Sequence, residues 1–311
     1  MLIPVYNAGP YLRQCLDSVL AQTGVDLGVF CRDDGSTDDS LAILREYEAR
    51  DARVHVAKQE NVGVSETRNR LVDGLPDDFE AFAFVDSDDR IAEGMYAKLA
   101  EAMERTNADI AECEWEGPER VIDDMSLYLL KRTAPGQWIN VINKLYRRKA
   151  VGGIRFRKGL AFEEDLFFNY EVHAAAKRKV LVPGRFYTYR DNPESATHRL
   201  DSRKYLASTA ERIRLSQEEF LNAGRIPRGL EADFRRELAK DAYRMCIRKN
   251  LKRNPDAVSR RELFLEAGTF FRNLERETGF RPVGLNPIQR LIYRACIAGR
   301  YVPAKALIYL T

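Results

Sequence analysis

Three carboxylates occupy four consecutive positions of the 311-residue sequence, at Asp86, Asp88 and Asp89. The apolar run AFAFV at positions 81–85 precedes them and predicts a buried strand that ends in this acidic turn. Carboxylates so close together repel one another unless solvent or a cation relieves the charge. Mg²⁺ and Mn²⁺ prefer oxygen ligands, and they often bind through one or two carboxylates together with phosphate oxygens. The turn therefore predicts a site for a metal ion and a diphosphate, with an acidic helix cap as the alternative.

Two further polar segments follow predicted strands. Asp33 and Asp34 come after the apolar run at positions 29–31, and Gly35 permits a tight turn behind them. An aspartate at a strand end can accept a hydrogen bond from a nucleobase imide or a ribose hydroxyl. Arg68 lies in the first turns of a predicted helix, whose N-terminus suits phosphate. A common Asp-Gly-Ser turn and a surface salt bridge are the alternatives for these two segments.

A second acidic cluster stands among aromatic neighbours, in the run FEEDLFF at positions 162–168. A carboxylate in partly apolar surroundings can have a raised pKa and act as a general base. An inverting transfer to a hydroxyl needs one such base, which takes the hydroxyl proton while the donor carbon is attacked from its opposite face. The alternative is an acidic first turn of a helix.

Alternating strand and helix patterns position these polar segments. The predicted strands lie at 2–5, 29–31, 54–56, 81–85 and 109–113. Helical patterns lie between them, such as the apolar pairs that recur every four residues from Tyr11 to Leu20. This alternation predicts a parallel, doubly wound sheet, in which ligands bind beyond the carboxyl ends of the strands. Tyr6, Asp34 and Asp86 should therefore lie on one rim.

The rest of the chain is less regular. Positions 116–200 are mixed, with a predicted helix at 126–131, and the pattern from 201 onward is helical with basic faces. Asn286 and Pro287 should cap a final helix. We expect one side of that helix to carry Ile288, Leu291, Ile292, Ala295 and Cys296.

Charge is unevenly distributed although the net charge is only +3. Residues 201–311 carry 23 lysines and arginines against 13 aspartates and glutamates, whereas the first 200 carry 27 against 34. A basic helical surface suits anionic lipid or acidic glycans, and a solvated charged face is the alternative. Nucleic acid is disfavoured because no aromatic platforms alternate with the basic residues. Five scattered cysteines and the lack of a signal sequence or a membrane-length apolar run favour a cytoplasmic location.

Several motifs occur together in a fixed order. They are IPVYN at 3–7, DDGSTD at 33–38, NVG at 61–63, RN at 68–69, VDSDD at 85–89, NKLY at 143–146, IRF at 154–156 and EDLFF at 164–168. As a set they resemble the bacterial family 2 glycosyltransferases with the A-type (GT-A) fold, in particular those that build capsular, exopolysaccharide and other cell-surface glycans. The resemblance covers about residues 1–200.

The resemblance implies roles for individual residues. It assigns the following residues to the nucleotide-sugar: Pro4, Val5, Tyr6, Asn7, Asp34, Arg68, Asp86 and Ser87, with Lys144 and Trp138 as contacts to sugar or phosphate. Asp88 would bind the metal, Mn²⁺ or Mg²⁺, with Asp86 and His198 as further candidates. Asp165 would be the catalytic base, and Glu164 its neighbour and possible substitute.

The resemblance also implies an architecture and an activity. Residues 1–200 would form the Rossmann-like GT-A domain, with a nucleotide-sugar half at 1–115 and an acceptor half at 116–200, and a basic helical region would follow at 201–311. The activity would be metal-dependent, inverting transfer of a hexosyl or N-acetylhexosaminyl group, with UDP-sugar as the expected donor. The acceptor would be a glycan or a lipid-linked saccharide, and the C-terminal helices could contact the inner face of the cell membrane.

Two departures from the family pattern and two alternatives accompany this expectation. The first strand begins almost at Met1, which indicates either a short strand or a missing N-terminal segment, and the last 110 residues match no motif. A nucleotidyltransferase is disfavoured because no Gly-rich, Lys-bearing phosphate loop is visible near the start. A catalytically silent, glycan-binding or scaffold subunit is the alternative from another class.

Overall fold

The computed structural model describes residues 1–114, 117–123, 140–160, 163–190, 192, 201–226, 228–249 and 257–301. By contact density the chain divides into two compact units. Unit 1 comprises Met1–Lys158 and Phe168–Asn192, and unit 2 comprises Gly159–Phe167 and Pro193–Thr311. No pattern in the sequence indicated that the short segment Gly159–Phe167 belongs with the C-terminal helices. The predicted helix at 126–131 lies outside the described residues.

Unit 1 begins with three parallel strands, β1 (Leu2–Val5), β2 (Val29–Asp33) and β3 (Val54–Lys58). Strand β2 lies in the middle, with Leu2 opposite Phe30 and Val29 opposite Val54. Every side chain of β1 is buried, as expected for a parallel strand that is covered on both faces. The expected α/β fold with a helical C-terminal region is confirmed, and the first three strands are parallel as predicted for the central sheet.

The rest of the sheet is mixed and continues from the free edge of β1. Leu2 donates to Ala83 O and accepts from Val85 N, at 2.8 and 3.2 Å, so the predicted fourth strand lies beside the first. The remaining strands are β4 (Ala81–Phe82), β5 (Arg90–Ile91), β6 (Ile110–Glu114), β7 (Arg120–Ile122), β8 (Lys144–Arg147), β9 (Lys179–Pro183) and β10 (Tyr187–Thr188). Five of them hydrogen bond in the order β4-β8-β6-β9-β7, and β5 pairs separately with β10.

The helices of unit 1 cover the sheet. They are α1 (Gly9–Leu20), α2 (Ser40–Arg50), α3 (Val64–Asp73), α4 (Met95–Thr106) and α5 (Arg148–Val151). Helix α6 (Glu164–Ala175) starts in unit 2 and continues into unit 1. The apolar stripe predicted for α1 is confirmed, because Leu12, Cys15, Leu16 and Val19 are all buried.

A cluster of aromatic side chains fills the core behind the acidic turn. Phe84 contacts the rings of Phe82, Tyr146, Phe156 and Phe168 at centroid distances of 5.4 to 6.4 Å. Phe156 and Phe168 stack at 4.1 Å with nearly parallel planes. Such rings bury large apolar areas, so they fix the strand that delivers Asp86 to its end.

A buried network of charges lies in the same unit. Glu112 on β6 forms ion pairs with Lys179 and, at 3.5 Å, with Lys144, and the three side chains are at most 1% exposed. Lys144 Nζ also donates to Asn140 O and Asn143 Oδ1 at 2.6 and 2.8 Å. Burial would raise the pKa of Glu112, but attraction to both lysines outweighs burial and lowers it. Burial lowers the pKa of Lys144 to about 8.

Unit 2 is helical in its described part beyond residue 200. Its elements are α7 (Ser202–Leu215), a π-helix at Ser216–Asn222, α8 (Glu231–Ala242), a second π-helix at Tyr243–Lys249, α9 (Ala257–Thr278) and α10 (Pro287–Ile297). The predicted Asn286 cap of the final helix is confirmed: its side chain accepts from Gln289 N in a reciprocal capping box. No helix among the described residues has the length and apolarity to cross a bilayer.

The prediction of which side of α10 is buried is wrong at the N-terminal end of the helix. The side that is buried carries Ile292, Tyr293 and Cys296, whereas Ile288 and Leu291 are exposed. Helix α10 packs on α9 through these buried residues: Tyr293 lies 4.8 Å from the ring of Phe271, and Cys296 Sγ donates to a carbonyl of α9. The packing partner therefore selects a stripe rotated from the one that the sequence suggested.

Candidate functional site

The acidic turn after Phe84 is held from a distant part of unit 1. Tyr187 donates from its hydroxyl to Asp89 Oδ2 at 2.7 Å, and the same hydroxyl accepts from Asp86 N at 3.3 Å. Arg190 donates from its backbone to Asp89 Oδ1 at 2.8 Å and from Nε to Asp88 O at 2.9 Å. Both oxygens of Asp89 are thus engaged, which identifies Asp89 as a support of the turn.

Asp88 and Asp86 have more open surroundings. Asp88 Oδ2 accepts from Asn192 Nδ2 at 2.9 Å, and Asp86 Oδ1 accepts from Arg68 Nη2 at 3.0 Å. The side chain of Asp86 is 30% exposed, and Ser87 and Asp88 are half-buried. One carboxylate oxygen of Asp88 therefore accepts from Asn192, and one of Asp86 accepts from Arg68. The second oxygen of each carboxylate suits a further ligand.

Repulsion and burial both act on the carboxylates of the turn. Burial raises the pKa of Asp88, and the negative charge of Asp86 raises it further. Burial, with Asp86 as the next cause, raises the pKa of Asp89 to about 7. A cation near the turn would relieve this repulsion.

Arg68 links helix α3 to the acidic turn. Its side chain is 4% exposed and forms the ion pair with Asp86, and its guanidinium lies 5.3 Å from the ring centroid of Phe156. The neighbouring Asn69 is fixed by two hydrogen bonds to the backbone of Phe156, at 2.8 and 2.9 Å. Arg68 therefore lies beside the candidate metal ligands, and its place near the nucleotide stays a prediction.

Asp34 organises the loop that precedes α3. Its carboxylate accepts from Val62 N at 2.8 Å, Gly63 N at 2.9 Å and Gln59 Nε2 at 2.8 Å. The backbone of Asp34 donates to Val5 O at 2.8 Å, so the ends of β1 and β2 are adjacent as expected. The predicted contact between Asp34 and a base stays a prediction, and it requires these amide partners to share the carboxylate.

The loops after β1 and β2 are tied together. Asn7 Oδ1 accepts from Thr37 N at 2.8 Å, and Asn7 N donates to Ser36 Oγ at 3.0 Å. Gly35 has a φ of +74°, and a Cβ there would meet Asn61 N at 2.9 Å, so the turn needs glycine.

Residues Pro4 to Tyr6 divide by exposure. Pro4 and Val5 are buried within the sheet, whereas Tyr6 is 52% exposed at its end. Of these three residues assigned to the nucleotide-sugar, Tyr6 thus presents the largest side-chain surface to a ligand.

The donor set suits a metal that arrives with phosphate oxygens. Among the described residues no group of three or more His, Cys, Asp and Glu side chains is arranged to hold an ion by itself. Two carboxylates, Asp86 and Asp88, each with an oxygen suited to a ligand, match the mode in which Mg²⁺ binds through one or two carboxylates plus substrate phosphates. The residues present therefore fit Mn²⁺ or Mg²⁺ as part of a nucleotide complex.

The other predicted site residues are more scattered. Glu164 and Asp165 are half-buried in the first turn of α6, within unit 2. Lys144 lies in the buried network, with an ammonium group enclosed by protein acceptors, so the structure does not place it at the rim. Trp138 and His198 lie outside the described residues.

Three residues of this site were not predicted as members: Tyr187, Arg190 and Asn192. Each is about 100 positions from the acidic turn that it contacts. Short-range spacing carries no information about such contacts, because they depend on the pairing of β10 with β5.

The comparisons with known proteins show which family the chain belongs to. The family model "Glycosyl transferase family 2" matches residues 1–182, and the chain belongs to that family. The chain is 30% identical over 218 residues to EpsJ of Bacillus subtilis (strain 168), which is described as an uncharacterized glycosyltransferase. That match covers 63% of this chain and spans only 62% of EpsJ.

Solved structures share the fold. S. aureus TarS in complex with UDP-GlcNAc matches with a TM-score of 0.70 at 21% identity, over 96% of this chain and 88% of TarS. The mannosyltransferase PcManGT of Pyrobaculum calidifontis, in complex with GDP-Man and Mn²⁺, matches with a TM-score of 0.52 at 14% identity, over 96% and 85% of the two chains. At these identities the likeness concerns the fold alone.

Proposed function

We propose that this chain is a metal-dependent, inverting glycosyltransferase that moves a sugar from a nucleotide-sugar to a hydroxyl acceptor. The observation that carries the proposal is the acidic turn at a strand end, with Arg68 paired to Asp86 at 3.0 Å and Asp88 beside it. Family membership supports the same activity. UDP-sugar is the proposed donor, because TarS shares the fold and is found with UDP-GlcNAc.

The residues of unit 1 would bind and orient the donor. Tyr6 and Asp34 are proposed to contact the nucleobase, Asp86 and Ser87 the ribose or metal, and Asp88 the metal. A bound Mn²⁺ or Mg²⁺ would stabilise the charge that develops on the leaving diphosphate. The hydrogen bonds of Asn192 to Asp88 and of Arg68 to Asp86 leave each carboxylate fixed in orientation, which preorganises the pair for this task.

Asp165 is proposed as the general base, with Glu164 as its neighbour. In the transfer step the acceptor oxygen forms a bond to the anomeric carbon, and the bond from that carbon to the diphosphate oxygen breaks. The acceptor proton passes to the Asp165 carboxylate, and the nucleoside diphosphate leaves with the bonding electrons. Attack from the face opposite the leaving group inverts the anomeric configuration.

The acceptor class follows from the resemblance to enzymes of cell-surface polysaccharide synthesis. We propose a glycan or a lipid-linked saccharide as acceptor, and a hexosyl or N-acetylhexosaminyl group as the transferred sugar. The protein would act in the cytoplasm at the inner face of the membrane.

The test of the function is a donor panel. UDP-GlcNAc, UDP-glucose, UDP-galactose and GDP-mannose are each incubated with the protein and Mn²⁺, and release of nucleoside diphosphate is measured with and without saccharide acceptors. We expect release from one donor class. Replacing Asp88 by Asn should raise the Mn²⁺ concentration for half-maximal rate by at least roughly 100-fold, since it removes a metal ligand.

The matched control is Asp77→Asn, because Asp77 is a fully exposed carboxylate of the same unit. It should leave the Mn²⁺ requirement unchanged. A wild-type protein that binds nucleotide with Mn²⁺ but turns over no donor with any acceptor would favour the catalytically silent, glycan-binding alternative.

A membrane partner is proposed for α10. Leu291 is 68% exposed and Ile288 is 37% exposed, and Arg290 and Arg294 of the same helix are also exposed. Exposed apolar side chains beside cations suit the surface of an anionic bilayer. We expect co-sedimentation with vesicles that contain phosphatidylglycerol, and about tenfold weaker binding for Leu291→Glu.

The charge control is Arg276→Ala, which removes an exposed cation on α9 and should change vesicle binding less. Equal binding of wild type and Leu291→Glu would show that α10 does not contact the bilayer.

A further inference from the structure

The residue before the candidate catalytic pair is held by a buried ion pair. Glu163 Oε2 accepts from Arg212 Nε at 2.5 Å, and the two side chains are 2% and 0% exposed. Arg212 Nη2 also donates to Asp241 Oδ2 at 2.9 Å, and Asp241 in turn pairs with Arg244 at 2.6 Å. All four residues belong to unit 2.

The backbone at Glu163 is in an uncommon conformation. Its φ is +65°, one of three positive values among the described non-glycine residues. Such a conformation costs free energy and persists only where the surroundings enforce it. Glu163 O accepts from Phe167 N at 3.2 Å, so its conformation sets how the chain enters the first turn of α6.

A second contact holds the other end of that turn. The ring of Phe167 packs edge-on against Phe220 at a centroid distance of 5.8 Å, and both side chains are buried. Phe220 belongs to the π-helix at Ser216–Asn222. Glu164 and Asp165 therefore lie between two residues that are anchored by the helices beyond residue 200.

The anchoring helices carry an unusual distortion of their own. The α-helix that bears Arg212 continues directly into one π-helix, and the α-helix that bears Asp241 continues into another. The partner of Asp241, Arg244, lies in that second π-helix. π-Helical turns are rare, and they occur frequently at functional sites.

We propose that Arg212 is a positioning residue for the catalytic base: through Glu163 it fixes the turn that presents Glu164 and Asp165. The C-terminal helices would thereby take part in catalysis without contacting the reacting atoms. This inference rests on the proposed function. It assigns to unit 2 a role beyond acceptor choice or membrane contact.

The energetics of buried ion pairs make this inference testable. Replacing both partners of such a pair by apolar residues is often neutral or stabilising, whereas removing one partner is strongly destabilising. The double variant Arg212→Leu/Glu163→Leu leaves Asp241 paired with Arg244. It should therefore fold while losing the contact that orients the turn.

The experiment compares this double variant with wild type in four measurements. They are thermal unfolding, UDP binding with Mn²⁺, steady-state release of UDP from UDP-GlcNAc with acceptor, and hydrogen exchange of residues 163–170. We expect the midpoint of thermal unfolding to stay close to that of wild type and the affinity for UDP to stay within about twofold. The kcat should fall roughly 100-fold, because small misplacement of a catalytic group has effects of that size. The KM for donor should change little, and exchange at 163–170 should accelerate.

The matched control is Arg203→Leu. Arg203 lies on the same helix as Arg212 and pairs with Glu262 and Glu266, but it is 62% exposed. Exposed pairs contribute little, so this variant should match wild type in all four measurements.

Each outcome decides one claim. A folded double variant with wild-type kcat and unchanged exchange would overturn the inference and leave the proposed function intact. A wild type that turns over no donor would overturn the function, and the exchange result would still decide whether Arg212 holds the turn. If the double variant does not fold, Arg212→Lys takes its place, since lysine keeps the charge but loses the planar fork. An unchanged kcat in that variant would overturn the inference.

Discussion

Replacing Asp165 by asparagine is expected to lower kcat for sugar transfer by about 10²- to 10⁴-fold, the range in which a general base contributes. Asparagine has nearly the same shape but cannot take up the acceptor proton. Asp165 is half-buried in the first turn of α6, and the metal ligands are proposed elsewhere, in unit 1. Binding of UDP with Mn²⁺, measured by calorimetry, should therefore stay unchanged.

The neighbouring carboxylate supplies the control. Glu164→Gln makes the same chemical change one position earlier in the same helical turn. If Asp165 is the base, Glu164→Gln should lower kcat much less. The reverse order would transfer the role to Glu164, and equal, small effects in both variants would exclude a base in this turn.

The second large effect is expected at Glu112, a carboxylate that lies between two buried lysines. Lys144 and Lys179 are both fully buried and both pair with it. Replacing Glu112 by glutamine removes a negative charge that pairs with two buried ammonium groups. We expect the free energy of unfolding to fall by about 3–5 kcal/mol, as when one partner of a buried ion pair is removed. Denaturant unfolding at pH 7 measures this loss.

The loss of unfolding free energy caused by Glu112→Gln should become smaller as the pH rises. In the wild type, burial lowers the pKa of Lys144 to about 8, below its ordinary value of 10.5. Between these two values the unfolded state binds more protons than the folded state, so stability rises with pH across that window. Without Glu112 the pKa of Lys144 should fall further, and the window should extend to lower pH. A loss that is equal at pH 7 and pH 10 would contradict this account.

Glu114→Gln is the control for the second prediction. Glu114 lies two positions along the same strand and pairs with Arg120 at 2.5 Å, but that arginine is half-exposed. Its partner remains hydrated after the substitution, so the loss of stability should be well below that of Glu112→Gln. Comparable losses of unfolding free energy in the two variants would show that any substitution in β6 is destabilising, and that the buried charge network is not the cause.

His173 is a neutral member of this network. Burial, followed by repulsion from Lys179 and Lys144, keeps its pKa well below the ordinary value. Its Nδ1 lies 2.7 Å from Asn169 O, so that nitrogen carries the proton, and Nε2 faces Lys179 Nζ at 3.5 Å. Two lysines, one glutamate and one neutral histidine thus share a water-poor interior.

The strand-end rim was predictable because it follows from local patterns. Short apolar runs, each followed by polar residues, mark where parallel strands end, and topology brings those ends together. The hydrogen bond from Asp34 N to Val5 O and the bridge from Leu2 to Phe84 confirm this for the rim. The ion pair between Arg68 and Asp86 joins two of the predicted residues directly. Their roles toward a ligand remain predictions.

The remaining features depend on contacts that no local pattern encodes. Tyr187 reaches the acidic turn only through the pairing of two very short strands, β5 and β10. Lys144 was predicted as a ligand contact because its motif resembles the family, but its ammonium is buried beside Glu112. The buried side of α10 was also predicted incorrectly. Several apolar residues of this helix could have been buried, and packing against α9 determines which of them are.

The assignment of the short segment Gly159–Phe167 to unit 2 has a consequence for exchanging domains between related proteins. The part of the chain that matches the family model, residues 1–182, contains this segment but not Arg212, which pairs with Glu163. Exchanging C-terminal halves between family members would thus separate positions 163 and 212. A chimera should retain activity only when both positions come from the same parent or already match. The two positions are therefore expected to covary across the lineage.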